Sequence, residues 1–305
     1  MSKPRRPRRT VSGILLLDKP LGWSSNAALI EVRKRYQADK AGHIGSLDPL
    51  ATGLLPICLG QATKLCGQLL ASDKCYRATV VLGASTDTGD VEGQVTERSD
   101  LAGYEPERLS AVAAAFLGPQ QQTPPMYSAI KQQGVRLYQL AREGEVVERA
   151  PRDIVIHALS LVPSGPDRFD MEVRCSKGTY VRVLAEDIAR ALGQVGHLVA
   201  LRRTAAGPFQ GPMLAFDALT ATSAQGGLPA LDALLLPLSA ALPEWARVAV
   251  SADQAALLRR GGRVPLPGAA AGDVAVIDPT GDVVCLGEVR EAQLQPRRWL
   301  SDRYP

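Results

Sequence analysis

Apolar positions along the chain recur with two periods. Near the N-terminus, Ile14-Leu15-Leu16-Leu17 forms a continuous apolar run between Gly13 and Asp18-Lys19-Pro20. That pattern predicts a short buried strand ending in a turn. Ser24 or Ser25 then stands where a helix running roughly to Tyr36 needs its cap. From Tyr76 the period changes to two: Tyr76, Ala78, Val80 and Leu82 alternate with Arg77, Thr79 and Val81, a strand with one apolar face. Phe169, Met171, Val173 and Cys175 alternate with charged residues in the same way. Helical spacing appears at Leu109, Val112, Ala113 and Phe116, stopped by Gly118-Pro119. It returns at Val181, Leu184, Ala185, Ile188 and Leu192, stopped by Gly193. Strands mix with isolated helices without βαβ repetition. The expected class is α+β, with a mixed, mostly antiparallel central sheet and flanking helices.

Three regions break the periods. Gln120 to Lys131 is polar and interrupted by Pro124-Pro125, with a short helix expected near Leu137 to Ala141; it reads as a surface excursion. Residues 219–249 are rich in Ala, Leu, Pro and Gly, with Gln225-Gly226-Gly227 as the expected loop and a domain boundary near 248. Beyond it, a helix from Ala252 to Arg260 precedes a hairpin pairing Val274–Ile277 with Val283–Leu286 across Pro279-Thr280-Gly281-Asp282. About 55 residues in short strands suggest a small β-barrel.

Composition narrows the class. A length of 305 residues suggests two domains, and 46% hydrophobic with 22% charged residues excludes a largely disordered chain. Net charge is +4, yet Lys3, Arg5, Arg6, Arg8 and Arg9 alone supply five positive charges, so the remainder sums to −1. A nucleic-acid partner would therefore require basic residues gathered on one face. Residues 1–10 read as a flexible basic tail. No apolar stretch has transmembrane length. Five single cysteines, no CxxC pair and three scattered histidines give neither a disulfide framework nor zinc spacing. The Asp87, Asp90, Glu92 cluster lacks the order of a calcium loop and reads as a structural or RNA-edge turn. The expectation is a reduced, cytoplasmic protein without metal.

The chemistry concentrates at Gly42-His43-Ile44-Gly45-Ser46-Leu47-Asp48-Pro49-Leu50-Ala51-Thr52-Gly53. One carboxylate, Asp48, sits in a glycine-dense run, and Pro49 biases it toward extended backbone. The run is neither a P-loop nor a dinucleotide fingerprint. It resembles motif II of pseudouridine synthases, in the form found in the bacterial tRNA pseudouridine-55 synthases of the TruB family, with Ser46 where Thr is usual. Lys177-Gly178-Thr179-Tyr180-Val181-Arg182 and Asp18-Lys19-Pro20 match further motifs in the right order.

The resemblance spans roughly residues 12–300 and implies a catalytic domain over 11–248. It also implies a thumb-like insertion around 120–150 and a PUA-type RNA-binding domain over 249–305. It makes Asp48 the catalytic aspartate, paired with Arg182. Tyr76 would stack on a flipped uracil, Tyr180 would line the pocket, Leu201 would pack on the base, and His43 would fill the space the nucleotide leaves. Lys19 is expected to support the site or contact the RNA backbone, and Lys131, Arg202 and Arg203 are expected RNA contacts. The implied reaction converts uridine 55 in the T-arm of tRNA to pseudouridine with no cofactor, no membrane and no obligatory protein partner, as a monomer. The alternatives are a guide-RNA-dependent H/ACA-type subunit and a non-catalytic RNA-binding or tRNA-folding module.

Overall fold

The computed structural model describes residues 8–132 and 134–304, and the side chain of Lys131 lies outside the described residues. A ten-stranded sheet forms the body. Its main path runs Leu214–Ala215, Gly13–Lys19, Ala51–Leu59, Gly196–Ala206, Lys74–Leu82, Arg168–Cys175, Arg152–Gly165 and Gly118–Gln122. Two neighbour pairs are parallel, Leu17–Asp18 with Leu214–Ala215 and Ala51–Gly53 with Leu201–Arg203; the rest of the path is antiparallel. The predicted alternations become faces: Ala78, Val80, Leu82, Phe169, Met171, Val173 and Cys175 are buried while Arg77, Asp170, Glu172 and Arg174 are exposed. Helices Ser25–Arg35 and Val181–Ala191 lay their apolar stripes on this core through Ala28, Val32, Leu184, Ala185 and Ile188. Of these, Val32, Leu184 and Ile188 each contribute about 1.5–3 kcal/mol when fully removed from water.

One edge of the central Ala51–Leu59 strand is shared. Ala41–His43 pairs with Ile57–Leu59, and Leu201–Arg203 pairs with Ala51–Gly53. The gap between these partners is where the Asp48 loop leaves and returns. Gly53 makes the second pairing possible: it has φ +94°, and a Cβ there would lie 2.3 Å from the Arg203 carbonyl oxygen.

The structure departs from the sequence expectations in three places. Gly118–Gln122 is an edge strand of the main sheet, paired with Arg152–Ile156, and Gln122 is buried; the excursion starts only after it. Polar side chains hid this strand because an edge position needs only one buried face. Residues Phe216–Asp232 are helical, broken at Gly227 with φ 59° and ψ −147°, so the expected loop is a one-residue kink. Within the expected tail, Arg9 is anchored: its Nη1 donates to Asp232 at 2.7 Å and its backbone N–H to Gln37 at 2.7 Å. Lys3, Arg5 and Arg6 lie outside the described residues.

A second sheet of five strands starts at Ala246–Ala249 and contains the predicted hairpin, Gly272–Ile277 with Val283–Arg290. It is open at both edges, a curled half-barrel. Its Ala275, Val283 and Leu286 join one apolar cluster with Ile14, Ile44 and Leu54 of the main body. No helix among the described residues is long and apolar enough to cross a membrane.

Gly53→Ala should destabilise the protein by about 2 kcal/mol or more, since it combines positive φ with a backbone clash. At this chain length the loss corresponds to a Tm decrease of about 3 °C or more, read by thermal unfolding.

Candidate active site

Two buried cations, Arg203 and Lys19, hold the Asp48 loop, and a third, Lys74, lies beside Arg203. Arg203 is 1% exposed. Its Nε donates to Leu54 O at 2.7 Å and its Nη2 to Gly45 O at 3.0 Å, filling the gap in the sheet edge. Lys19 is fully buried, and its Nζ donates to Pro20 O, Trp23 O and Pro49 O at 2.9, 2.5 and 3.4 Å. Burial pushes the Lys19 ammonium down to about 8, against the opposing pull of Asp48 and Glu92. Lys74 donates to Leu70 O and Ser72 O at 2.8 and 2.5 Å, and burial beside Arg203 lowers it also to about 8. Lys19 and Arg203 hold protein carbonyls and are closed off from solvent, which for Lys19 fits the site-supporting one of its two expected roles. Arg202 remains half-exposed but forks onto Asp18 at 3.0 and 2.7 Å.

The loop delivers Asp48 to Arg182. Asp48 Oδ2 lies 3.0 Å from Arg182 Nη2, with the carboxylate side chain 46% exposed and the arginine 6%. The pairing expected from the motifs is thus present. Arg182 rises from the first turn of the Val181–Ala191 helix and has three other partners. Its Nη1 donates to Thr88 O at 2.5 Å, its Nη2 to Tyr127 O at 2.7 Å, and Asp90 Oδ2 lies 3.7 Å from Nη1. Asp90 is itself buried, and it accepts from Thr88 Oγ1 at 2.7 Å and from the Glu92 N–H at 3.1 Å. A buried guanidinium needs such compensation. The RNA-edge reading of this turn fails for Asp90. Its burial was illegible because a turn dense in Asp, Thr and Gly reads as solvated. Gly89, at φ +72°, keeps the turn close: a Cβ there would meet Glu186 Oε1 at 2.9 Å. Glu186 follows Arg182 by one helical turn, and burial beside Asp187 pushes its carboxyl up to about 7.

Above Asp48 opens a cavity of about 270 Å³ lined by Tyr76, Tyr180, Leu201, Lys74, Arg182 and Arg203 among others. Leu201 is nearly closed off and sits in register with Ala51 and Ala78. Burial raises both tyrosine hydroxyls above their ordinary value; Arg203 opposes this at Tyr76 and the Ser128 hydroxyl at Tyr180. His43 is half-buried in the strand before the loop and is not among the lining residues. Burial and the Arg203 charge hold its imidazole below the usual value. Among the described residues, its buried Nδ1 has no hydrogen-bond partner. Lys131 belongs to the short strand Lys131–Gln132 of the excursion. Among the described residues, no group of three or more His, Cys, Asp or Glu is arranged to hold a metal ion.

The site is thus a lone carboxylate at the mouth of a cavity lined by two tyrosines, clamped by a buried arginine. The fold has solved counterparts. The chain superposes on the Cbf5-Nop10-Gar1 complex with a TM-score of 0.71 at 23% identity, covering 95% of this chain and 85% of that one. An H/ACA RNP bound to a substrate RNA containing 2'-deoxyuridine gives 0.71 at 21% identity, covering 96% and 87%. Residues 33–181 match the model of the TruB family pseudouridylate synthase N-terminal domain, and residues 182–243 that of the tRNA pseudouridylate synthase B C-terminal domain. Curated relatives named tRNA pseudouridine synthase B include those of Stutzerimonas stutzeri and Nitrosococcus oceani, each 47% identical. Both alignments cover 98% of this chain, and 99% and 98% of the respective relatives. The chain belongs to the TruB family of pseudouridylate synthases.

Glu186 gives the site a pH signature. Its folded-state value lies near 7, above the ordinary 4.5. Between these values the folded protein keeps a proton that the unfolded chain has lost, so rising pH penalises folding until the carboxyl ionises near 7. Glu186→Gln, which mimics the protonated form, should gain Tm relative to the wild type as pH rises from about 5 to 8. Parallel Tm curves for the two proteins would contradict this.

Proposed function

We propose that this protein isomerises uridine 55 in the T-arm of tRNA to pseudouridine, acting alone, as a monomer, in the cytoplasm. The carrying observation is the Asp48–Arg182 ion pair at the mouth of a cavity walled by Tyr76, Tyr180 and Leu201. Membership of the TruB family supplies the reaction class. The relatives' printed name supports tRNA as the substrate. Their near-complete mutual coverage favours this stand-alone reading over a guide-dependent H/ACA-type subunit, for which only fold likeness speaks.

In the reaction the N1–C1′ bond breaks, the uracil turns, the C5–C1′ bond forms, C5 loses its proton and N1 gains one. No electrons are exchanged with another molecule, so the stoichiometry calls for no redox cofactor. Asp48 serves as the nucleophile or base that detaches the uracil. Arg182 fixes its direction, which a planar, always-charged fork does well. The target base must leave the stacked T-loop to reach Asp48. Leu201 and Tyr76 offer it apolar surface, and Tyr180 closes the wall beside the ion pair. The exposed half of Asp48 faces the cavity, so substrate can reach it while Arg182 stays dry.

The decisive experiment is tritium release from an unmodified tRNA transcript labelled at uridine C5, with purified protein and nothing else. The expected result is one equivalent released, lost when uridine 55 is replaced by cytidine. Release that survives this replacement would overturn the site assignment. Asp48→Asn should abolish release while tRNA affinity stays within about tenfold, because phosphate contacts dominate binding. Arg182→Lys should lower kcat by about 10²-fold or more, since a point charge does not reproduce the fork. Near-normal turnover would remove the orienting role.

A further inference from the structure

We propose that the separation of Asp48 from Arg182 is set by two buried side chains outside the cavity, Ser25 and Gln122. Each takes up both backbone polar groups of one residue beside the pair. The inference rests on the functional reading above and adds two positioning residues to it.

Ser25 acts on the aspartate side. The cap of its helix is made by Ser24, whose side chain accepts from the Ala27 N–H. The Ser25 hydroxyl is therefore free to face the loop. It donates to Leu47 O at 3.0 Å and accepts from Leu47 N at 2.7 Å, and the residue is 3% exposed. A hydroxyl can do both at once, since it carries one donor and two lone pairs. The Leu47 side chain is 5% exposed and packs in the main core. The residue before Asp48 is thus fixed by its backbone and by its side chain.

Gln122 acts on the arginine side. It ends the edge strand Gly118–Gln122, immediately before the excursion, and is 5% exposed. Its Oε1 accepts from Tyr180 N at 2.7 Å and its Nε2 donates to Tyr180 O at 3.1 Å. Only one orientation of the amide satisfies both bonds. Tyr180 is the half-in residue at the start of the Val181–Ala191 helix and has no side-chain cap of its own. Its carbonyl also accepts from the Leu184 N–H at 3.0 Å, closing the first turn, which carries Arg182. Gln122 holds that turn as a paired strand would.

Each contact satisfies groups that would be expensive to leave unpaired, so a purely stabilising role is the rival account. The two accounts diverge in kinetics. A displacement of about 1 Å at a reacting group can cost 10²-fold in rate without weakening substrate binding. Loss of stability alone lowers the folded fraction and leaves the kcat of folded enzyme unchanged.

The test compares Ser25→Ala, Ser25→Thr, Gln122→Ala and Gln122→Glu with the wild type. Each is assayed where circular dichroism shows it folded, for kcat and KM by tritium release and for tRNA affinity by filter binding. Ser25→Ala and Gln122→Ala should each lower kcat by about 10- to 100-fold with KM and affinity nearly unchanged. Ser25→Thr, which keeps the hydroxyl, should recover most of the rate. Gln122→Glu, which keeps the acceptor and loses the donor, should fall between Gln122→Ala and the wild type. Folded alanine variants with wild-type kcat would overturn the inference while leaving the functional reading intact. So would losses confined to KM and Tm. A wild type that releases no tritium would sink the functional reading, and this inference with it.

Discussion

Burial of positive charge beneath one loop is the constraint on which the rest of the site depends. Lys19, Lys74, Arg182 and Arg203 are all nearly closed off from solvent, and the one buried carboxylate among them is Asp90. Isolated buried charges of this kind are strongly unfavourable unless dipoles or counterions surround them. The chain supplies both. Arg203 and Lys19 are met by backbone carbonyls at the loop and its flanks, and Lys74 by those of Leu70 and Ser72. Arg182 is met by two carbonyls and two carboxylates. Solvating these cations and shaping the loop are therefore one requirement. Ile44, Gly45, Pro49 and Leu54 cannot move far without leaving a buried charge unmet.

The same arrangement explains why Asp48 suits the proposed chemistry. It is the half-exposed member of an otherwise buried charge network, and the cations beneath it outnumber Asp90. Clustered positive charge of this kind suits the approach of an anionic substrate, which the proposed reaction requires. The burial that pushes Lys19 and Lys74 down to about 8 also measures how close these groups stand to the limit of remaining charged. Asp90 matters in this balance because it neutralises the far side of Arg182. The fork can then serve two carboxylates while only Asp48 meets the cavity.

Much of this was legible in the sequence, and the boundary falls along physical lines. Local pattern placed Tyr76 on an alternating strand, Arg182 at the start of an amphipathic helix and Asp48 between glycines and a proline, while their expected roles came from the resemblance of these motifs to the family's. Residues whose role follows from long-range burial were missed or misread. Arg203 and Lys19 looked like surface cations because Lys and Arg usually are; only the folded register brings Arg203 under Gly45 and Lys19 under Pro49. Gln122 looked like the start of a polar excursion because one buried glutamine in a run of three leaves no periodic trace. Asp90 was hidden by its own turn. The break at Gly227 was expected as a loop over Gln225-Gly226-Gly227, and the helix on either side was missed because Ala-, Pro- and Gly-rich composition masks helical spacing.

The half-barrel sheet at the C-terminus belongs in the same account. Its Leu286 and Leu300 share an apolar cluster with Ile44, the residue between His43 and Gly45, and with Leu54, whose carbonyl Arg203 holds. Polar ties run alongside: Lys64 donates to Trp299 O at 2.8 Å, and Arg298 donates to Lys64 O at 2.9 Å. The floor of the Asp48 loop is therefore closed partly by residues more than two hundred positions away. A module that served only to bind RNA would need no apolar face turned toward the catalytic sheet. Close-packed interiors transmit displacement rather than absorb it. Substitutions that loosen the C-terminal sheet thus act on the geometry of Asp48 as well as on any surface the sheet presents to RNA.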